Sequence, residues 1–165
     1  MPERLDPRFD LSFTLNGAPV DTATTTSTTL ADLLRERRDG RGTRLACERA
    51  VCGACTVLVD DVPRASCSVF AFEVEGRDVR TVEGLSDGGE LSPVQAAFAD
   101  NSAFQCGFCT AGMILLTEAL LARDPDPDNA TIRDWISSNI CRCTGYSLIL
   151  EAVRDAARRK REAAE

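Results

Sequence analysis

The chain has 165 residues, a net charge of −7 and an apolar fraction of 44%. That length allows one medium domain or two small ones, and the negative charge argues against nucleic acid as a partner. The absence of histidine excludes Cys/His zinc sites, Rieske-type ligation and any Ser–His or Cys–His catalytic pair. No apolar run reaches about 18 residues, so no membrane span is predicted. Residues 1–10 do not resemble a signal peptide, and we expect a cytoplasmic protein.

The N-terminal region begins with the pattern of a β-hairpin. Residues 9–15 alternate strictly between apolar and polar side chains, which predicts a half-buried strand. Asn16-Gly17 is a strong two-residue hairpin signal. The return strand is predicted at residues 18–21, and Pro19 places it at the edge of a sheet.

One helix and several short strands complete this first half. The helix is predicted at residues 30–38, where three leucines share one face, with Thr29 as N-cap and Gly40 at its end. Further short strands are predicted at residues 56–59, 69–74 and 79–82. A small sheet with one helix packed on it is an α+β unit of the β-grasp type.

The second half has the pattern of helices. Residues 83–90 are rich in Gly, Ser and acidic side chains and predict a linker. Ser92 as N-cap, Pro93 at the first position and Gln95 predict a capping box. Helices are predicted at residues 92–100, 108–122, 132–138 and 147–162. We therefore expect two domains, residues 7–83 and residues 91–165, the second a four-helix bundle.

Eight cysteines form two clusters, and the first has the plant-type [2Fe–2S] spacing. Cys47-x4-Cys52-x2-Cys55 is followed by Cys67. Gly53 lets the backbone approach a cluster closely. A disulfide framework is disfavoured, because cytosolic thiols are kept reduced. A four-cysteine zinc site is the other alternative, but zinc ribbons usually pair two C-x2-C knuckles.

The second cluster consists of Cys106, Cys109, Cys141 and Cys143. The predicted helices place the first two at the start of one helix and the last two in a later interhelical turn. Helix N-termini offer free N–H groups and a positive dipole end, which suit an anionic cluster. This spacing alone leaves zinc open, but iron is favoured beside a plant-type set in the same chain.

Three segments resemble motifs of a known family. They are Gln105-Cys106-Gly107-Phe108-Cys109-Thr110-Ala111-Gly112-Met113, Asn139-Ile140-Cys141-Arg142-Cys143-Thr144-Gly145-Tyr146 and Cys52-Gly53-Ala54-Cys55-Thr56-Val57. They are similar to the signatures of the iron–sulfur (small) subunits of molybdenum hydroxylases, the xanthine oxidase family, which includes the carbon monoxide dehydrogenase small-subunit type. The resemblance covers about residues 9–157.

The resemblance implies a place in an electron-transfer chain. The second cluster would lie beside the molybdopterin of a large subunit, with Gln105 and Cys143 against the pterin, and the first nearer FAD in a medium subunit. Electrons from substrate would pass from molybdenum through the second cluster and then the first to FAD. The assembly would be a dimer of heterotrimers, and no catalytic residue or substrate site is expected in this chain.

Some positions depart from the family pattern or stay open. Ala46 and Ala50 stand where the family often has Gly, and Ala111 stands where it has Pro. Arg142 either offsets cluster charge or is a surface or subunit contact. Trp135 is predicted in the core. A free-standing two-cluster carrier and a zinc-stapled interaction module remain the competing functions.

Overall fold

The computed structural model describes residues 7–36, 41–86 and 88–163, which form a sheet unit followed by a helical unit. The strands are β1 (Arg8–Leu15), β2 (Ala18–Thr25), β3 (Thr56–Val59), β4 (Val62–Ala65) and β5 (Asp78–Arg80). The helices are α1 (Leu30–Glu36), α2 (Pro93–Asp100), α3 (Thr110–Arg123), α4 (Asn129–Ile136) and α5 (Ser147–Glu162). The chain is thus α+β, with one helix in the sheet unit and four after it among the described residues.

The five strands form one mixed sheet in the order β2-β1-β5-β3-β4. β1 and β2 pair antiparallel over their full lengths, from Arg8 opposite Thr25 to Leu15 opposite Ala18. The return strand is therefore four residues longer than predicted, and it lies at the sheet edge as Pro19 indicated. β5 joins the two hairpins, because it pairs parallel with β1 and antiparallel with β3.

Helix α1 packs on this sheet through its leucine face. Leu30 and Leu34 are fully buried with Leu11, Phe13 and Val57 of the sheet. Thr29 is the predicted N-cap, and its Oγ1 accepts a hydrogen bond of 3.1 Å from the backbone N–H of Asp32. The predicted helix end at Gly40 lies outside the described residues.

Two predicted strands after the β3–β4 hairpin need correction. Residues 69–74 are not a strand, because Ala71–Val74 forms a 3₁₀ turn. Ala71 and Val74 are both fully buried while Phe72 is exposed, and burial at every third residue suits a turn of three residues. The strand predicted at 79–82 is the shorter β5 at Asp78–Arg80, and another 3₁₀ turn at Val82–Leu85 follows it.

The helix caps explain where the later helices begin. Both predicted capping-box bonds are present: the N–H of Gln95 donates to Ser92 Oγ (3.2 Å), and the N–H of Ser92 donates to Gln95 Oε1 (2.9 Å). Helix α3 begins at Thr110, two residues later than predicted. Helix α4 begins three residues earlier than predicted, because Asp128 Oδ1 caps the N–H of Thr131 at 2.7 Å. Helix α5 has the predicted bounds.

The two units share an apolar contact. Helix α3 lies against β3, and Leu58, Leu115 and Ala119 form a buried cluster between them. Trp135 is half-buried beside that cluster, and its indole N–H donates to the carbonyl of Leu116 at 2.8 Å. Within the described ranges, no helix is both long enough and apolar enough to cross a membrane.

Candidate metal centres

The first four cysteines lie together around the loop that precedes β3. The sulfur of Cys47 accepts hydrogen bonds of 3.4 Å from the backbone N–H groups of Val51 and Cys52. The sulfur of Cys67, beyond the β3–β4 hairpin, accepts a bond of 3.3 Å from the N–H of Ala50. Cys55 and Cys67 are both buried and pack together. The fold therefore brings the plant-type set into one place, as predicted.

The loop directs N–H groups at these sulfurs by an irregular backbone. Glu48 and Ala50 have left-handed φ angles of 53° and 56°, and Gly53 has a φ of 69°. Such angles are readily adopted by Gly and cost energy for other residues. Ala50, noted above as a departure from the family pattern, is thus strained because its position favours Gly.

The second four cysteines also come together, in two close pairs. The sulfurs of Cys106 and Cys143 are 3.6 Å apart, and the side chains of Cys109 and Cys141 lie close enough to shift each other's pKa. Two thiolates bound at ~2.3 Å to one tetrahedral metal stand about 3.8 Å apart. The Cys106–Cys143 spacing therefore suits two ligands of one metal atom.

The paired arrangement suits a binuclear centre. A [2Fe–2S] cluster takes four cysteines, two on each iron. Cys109 lies at the N-cap of α3, but Cys106 lies in the bend before the helix and not at its start as predicted. Cys141 and Cys143 lie between α4 and α5, as the sequence predicted.

The local environment shifts the cysteine pKa values in both directions. Backbone N–H groups of Arg49, Cys52 and Val51 lower the pKa of Cys47 to about 6. Burial raises the pKa of Cys67 to about 11, and burial together with the neighbouring Cys141 raises that of Cys109 to about 12. Cysteine thiolates are the ligands of [2Fe–2S] clusters, and a coordinated metal would deprotonate these thiols outright, so the donor set fits a metal centre.

One hydrogen bond joins the two cysteine sets. The carbonyl of Cys52 accepts a bond of 2.8 Å from the backbone N–H of Ile140, the residue before Cys141. Cys52 also lines the same cavity, of about 220 Å³, as the whole second set. A path from Cys52 of the first set to Cys141 of the second therefore runs through covalent bonds and one hydrogen bond.

Comparisons with known proteins agree with this geometry. The family model for a "2Fe-2S iron-sulfur cluster binding domain" matches residues 13–86, and that for a "[2Fe-2S] binding domain" matches residues 81–154. The chain is 46% identical to the nicotine 6-hydroxylase small subunit of Paenarthrobacter nicotinovorans, with 90% of each chain covered. It is 44% identical to the xanthine dehydrogenase iron-sulfur-binding subunit of Escherichia coli O157:H7, with 89% of this chain and 93% of that one covered.

The chain belongs to the iron–sulfur subunits of the xanthine oxidase family. A solved structure of quinoline 2-oxidoreductase from Pseudomonas putida 86 contains a similar chain, with a TM-score of 0.90, 41% identity and coverage of 94% of this chain and 97% of that one. The protein is therefore an electron-transfer subunit of a molybdenum hydroxylase complex.

The second cysteine set of the iron–sulfur subunit lies at the protein surface among exposed residues. Cys106 and Cys143 are exposed, and so are Gln105 and Arg142. Phe108 and Ile140, which line the same cavity as these cysteines, are 43% and 46% exposed. An apolar rim beside exposed cysteines is typical of a surface that another chain covers.

Three polar side chains beside the cysteine sets of the iron–sulfur subunit were not assigned a role from sequence. Asn139 is 4% exposed and lies between the two cysteine sets, although no role beyond its place in a motif was predicted for it. The hydroxyl of Tyr146 donates to the carbonyl of Asn139 (3.0 Å) and accepts from the N–H of Cys141 (2.9 Å). The hydroxyl of Thr110, directly after Cys109, is buried without a hydrogen-bond partner among the described residues. The signal in the sequence that could have pointed to these three residues is that each is a polar residue inside a cysteine motif.

Proposed function

We propose that this chain passes electrons, one at a time, from a molybdopterin centre in a large subunit to FAD in a medium subunit through two [2Fe–2S] clusters. The observation that carries the proposal is the direct link between the two cysteine sets, in which the carbonyl of Cys52 meets the N–H of Ile140. Neither set needs a moving element to reach the other.

The eight cysteines divide into two ligand sets. Cys47, Cys52, Cys55 and Cys67 would hold the first cluster, and Cys106, Cys109, Cys141 and Cys143 the second. In the second set, the sulfur spacing of 3.6 Å supports Cys106 and Cys143 as ligands of one iron. Cys109 and Cys141, whose side chains interact, would then be the ligands of the other.

When bound, each cluster supplies a site that accepts and releases one electron. The protein contributes the environment. N–H groups of the loop at residues 48–53 stabilise negative charge on the sulfurs of Cys47 and Cys67. Burial of Cys55 and Cys67 keeps water from that side of the first site. No side chain of this subunit is assigned a catalytic role.

The surface around the second cysteine set supports an orientation of the subunit relative to its partners. Because Cys106 and Cys143 are exposed beside Phe108 and Ile140, we assign this face to the large subunit. Gln105, also exposed there, and Cys143 would lie against the pterin. The first set would then lie nearer FAD, and two such heterotrimers would associate as a cytoplasmic dimer.

The two structural units correspond to two cluster domains in this proposal. The sheet with α1, residues 7–83, is the β-grasp ferredoxin-like domain. The helices α2–α5, residues 91–165, are the four-helix-bundle domain. The cores of the two units are largely separate, with the patch around Leu58 and Leu115 between them, which supports this division.

Affinity purification of the tagged chain from its native host tests the partners. We expect it to bring down two larger chains, with molybdenum and FAD in equal molar amounts and four irons for each iron–sulfur subunit. A tagged chain that purifies alone with its iron would support a free-standing carrier. A chain that holds zinc instead of iron would refute the electron-transfer role.

A further inference from the structure

The backbone of the first cysteine loop touches helix α3 with no side chain in between. Gly53 and Gly112 face each other, and a Cβ atom on Gly112 would overlap the carbonyl oxygen of Gly53. A Cβ atom on Gly53 would overlap the side-chain amide of Asn139. Two glycines and one buried amide thus form a joint at which the sheet unit meets the helical unit.

Hydrogen bonds fix the same joint. The hydroxyl of Thr56 donates to the carbonyl of Gly53 at 2.7 Å and lies 3.4 Å from both side-chain polar atoms of Asn139. Thr56 and Asn139 are 5% and 4% exposed. A buried amide left without partners would cost free energy, so these contacts keep the Asn139 side chain beside Thr56.

Asn139 is held on both sides of its own Cα atom. Its side chain lies in the first loop against Gly53 and Thr56, while its carbonyl accepts the hydroxyl of Tyr146 beside Cys141. The next residue, Ile140, donates the hydrogen bond to Cys52. The position of the N–H of Ile140 relative to Cys52 therefore depends on the residue directly before it.

We propose that Asn139 is a positioning residue that fixes the distance and orientation between the two cysteine sets. Its amide fills the space that Gly53 and Gly112 leave open, and so keeps the carbonyl of Cys52 in contact with the N–H of Ile140. The inference deepens the function proposed above and depends on it, because it concerns the spacing of the two clusters.

The test uses the intact complex with Asn139→Ala, and it compares the magnetic interaction between the two reduced clusters by low-temperature EPR. Dipolar splitting falls with the inverse cube of the distance between two spins, so a small displacement is visible. Asn101→Ala is a matched control, because Asn101 also bridges two helical elements through its amide, to Ala97 and Asp155, away from the joint.

We expect Asn139→Ala to lose part of the splitting while each chain still carries two cluster signals. Electron transfer from the second cluster to the first should slow in stopped-flow traces of the same sample. Asn101→Ala should lower the melting temperature but keep the wild-type splitting. If Asn139 had only a structural role, Asn139→Ala would behave like this control, with a lower melting temperature and the wild-type splitting.

Two further variants keep the test decisive if Asn139→Ala does not fold. Thr56→Val removes the bridging hydroxyl at nearly constant volume, and the Gly53 carbonyl keeps its bond of 3.0 Å from the N–H of Thr56. Gly112→Ala pushes the loop away from α3 while Asn139 stays intact. Both should reduce the splitting. Wild-type splitting in all of these variants would overturn the positioning role alone, whereas a wild-type complex without two cluster signals would overturn the proposed function and this inference with it.

Discussion

The strained loop residue Ala50 gives a prediction in which a substitution stabilises the protein. Ala50 has a left-handed φ of 56°, a conformation that costs a residue with a Cβ atom about 1–2 kcal/mol. Glycine removes that cost, but it gives the unfolded chain additional freedom worth about 0.4–1 kcal/mol. Ala50→Gly should therefore stabilise the folded protein by about 0.8 kcal/mol, the difference between the midpoints of these two ranges.

The assay is a thermal melt of the cluster-loaded protein, followed by circular dichroism and by loss of visible absorption. For a chain of this size, the predicted gain raises the melting temperature by about 1–4 °C. The N–H of residue 50 still donates to Cys67 in the variant, so both cluster signals should remain unchanged in EPR. All samples are heated at one scan rate, because cluster loss makes unfolding irreversible.

Ala46→Gly is the matched control for this prediction. Ala46 also departs from the family pattern, but its φ is not left-handed. Its replacement adds unfolded-state freedom without relieving strain, so it should destabilise the protein by about 0.4–1 kcal/mol. The reasoning is wrong if Ala50→Gly melts at or below the wild-type temperature, or if both variants shift it in the same direction.

Three other substitutions test separate parts of the account. Cys106→Ser should remove the EPR signal of the second cluster and leave that of the first intact; loss of both or neither would contradict the ligand assignment. Trp135→Phe removes the 2.8 Å bond to the Leu116 carbonyl and should cost about 0.5–1.5 kcal/mol, with an unchanged melting temperature as the contrary result. The N–H of Thr131 holds the pKa of Asp128 below its ordinary value of 3.8. The charged cap therefore stabilises the fold fully above pH 3.8. This stabilisation is lost as the pH falls through the lower pKa that Asp128 has in the folded state. The difference in melting temperature between wild type and Asp128→Asn should narrow across that acidic range, and a constant difference would show that the charge is not responsible.

The sequence predicted those features that depend on short-range patterns. The cysteine spacings identified two sets, and the structure brings each set together. Thr29, Ser92 and the bounds of α5 were predicted because caps and helical periodicity are local signals. The cap at Asp128 was missed, because a stretch of alternating Asp and Pro reads as a break and hides the residue that starts α4.

The other features that were missed depend on contacts between distant parts of the chain. Residues 69–74 have an apolar composition that fits a strand, and only packing against the sheet shows that they form a turn. The joint between Gly53, Gly112 and Asn139 unites three segments far apart in sequence. No periodicity or spacing encodes such a contact, although the glycines and the asparagine all lie in or beside cysteine motifs.

The most direct test of the central claim is low-temperature EPR of the purified complex after anaerobic dithionite reduction, with spins counted per iron–sulfur subunit. The account predicts two distinct cluster signals that together amount to about two spins per chain, one from each four-cysteine set. A single signal would confine the iron to one set, and a fully metal-loaded protein without any signal would contradict the electron-transfer function.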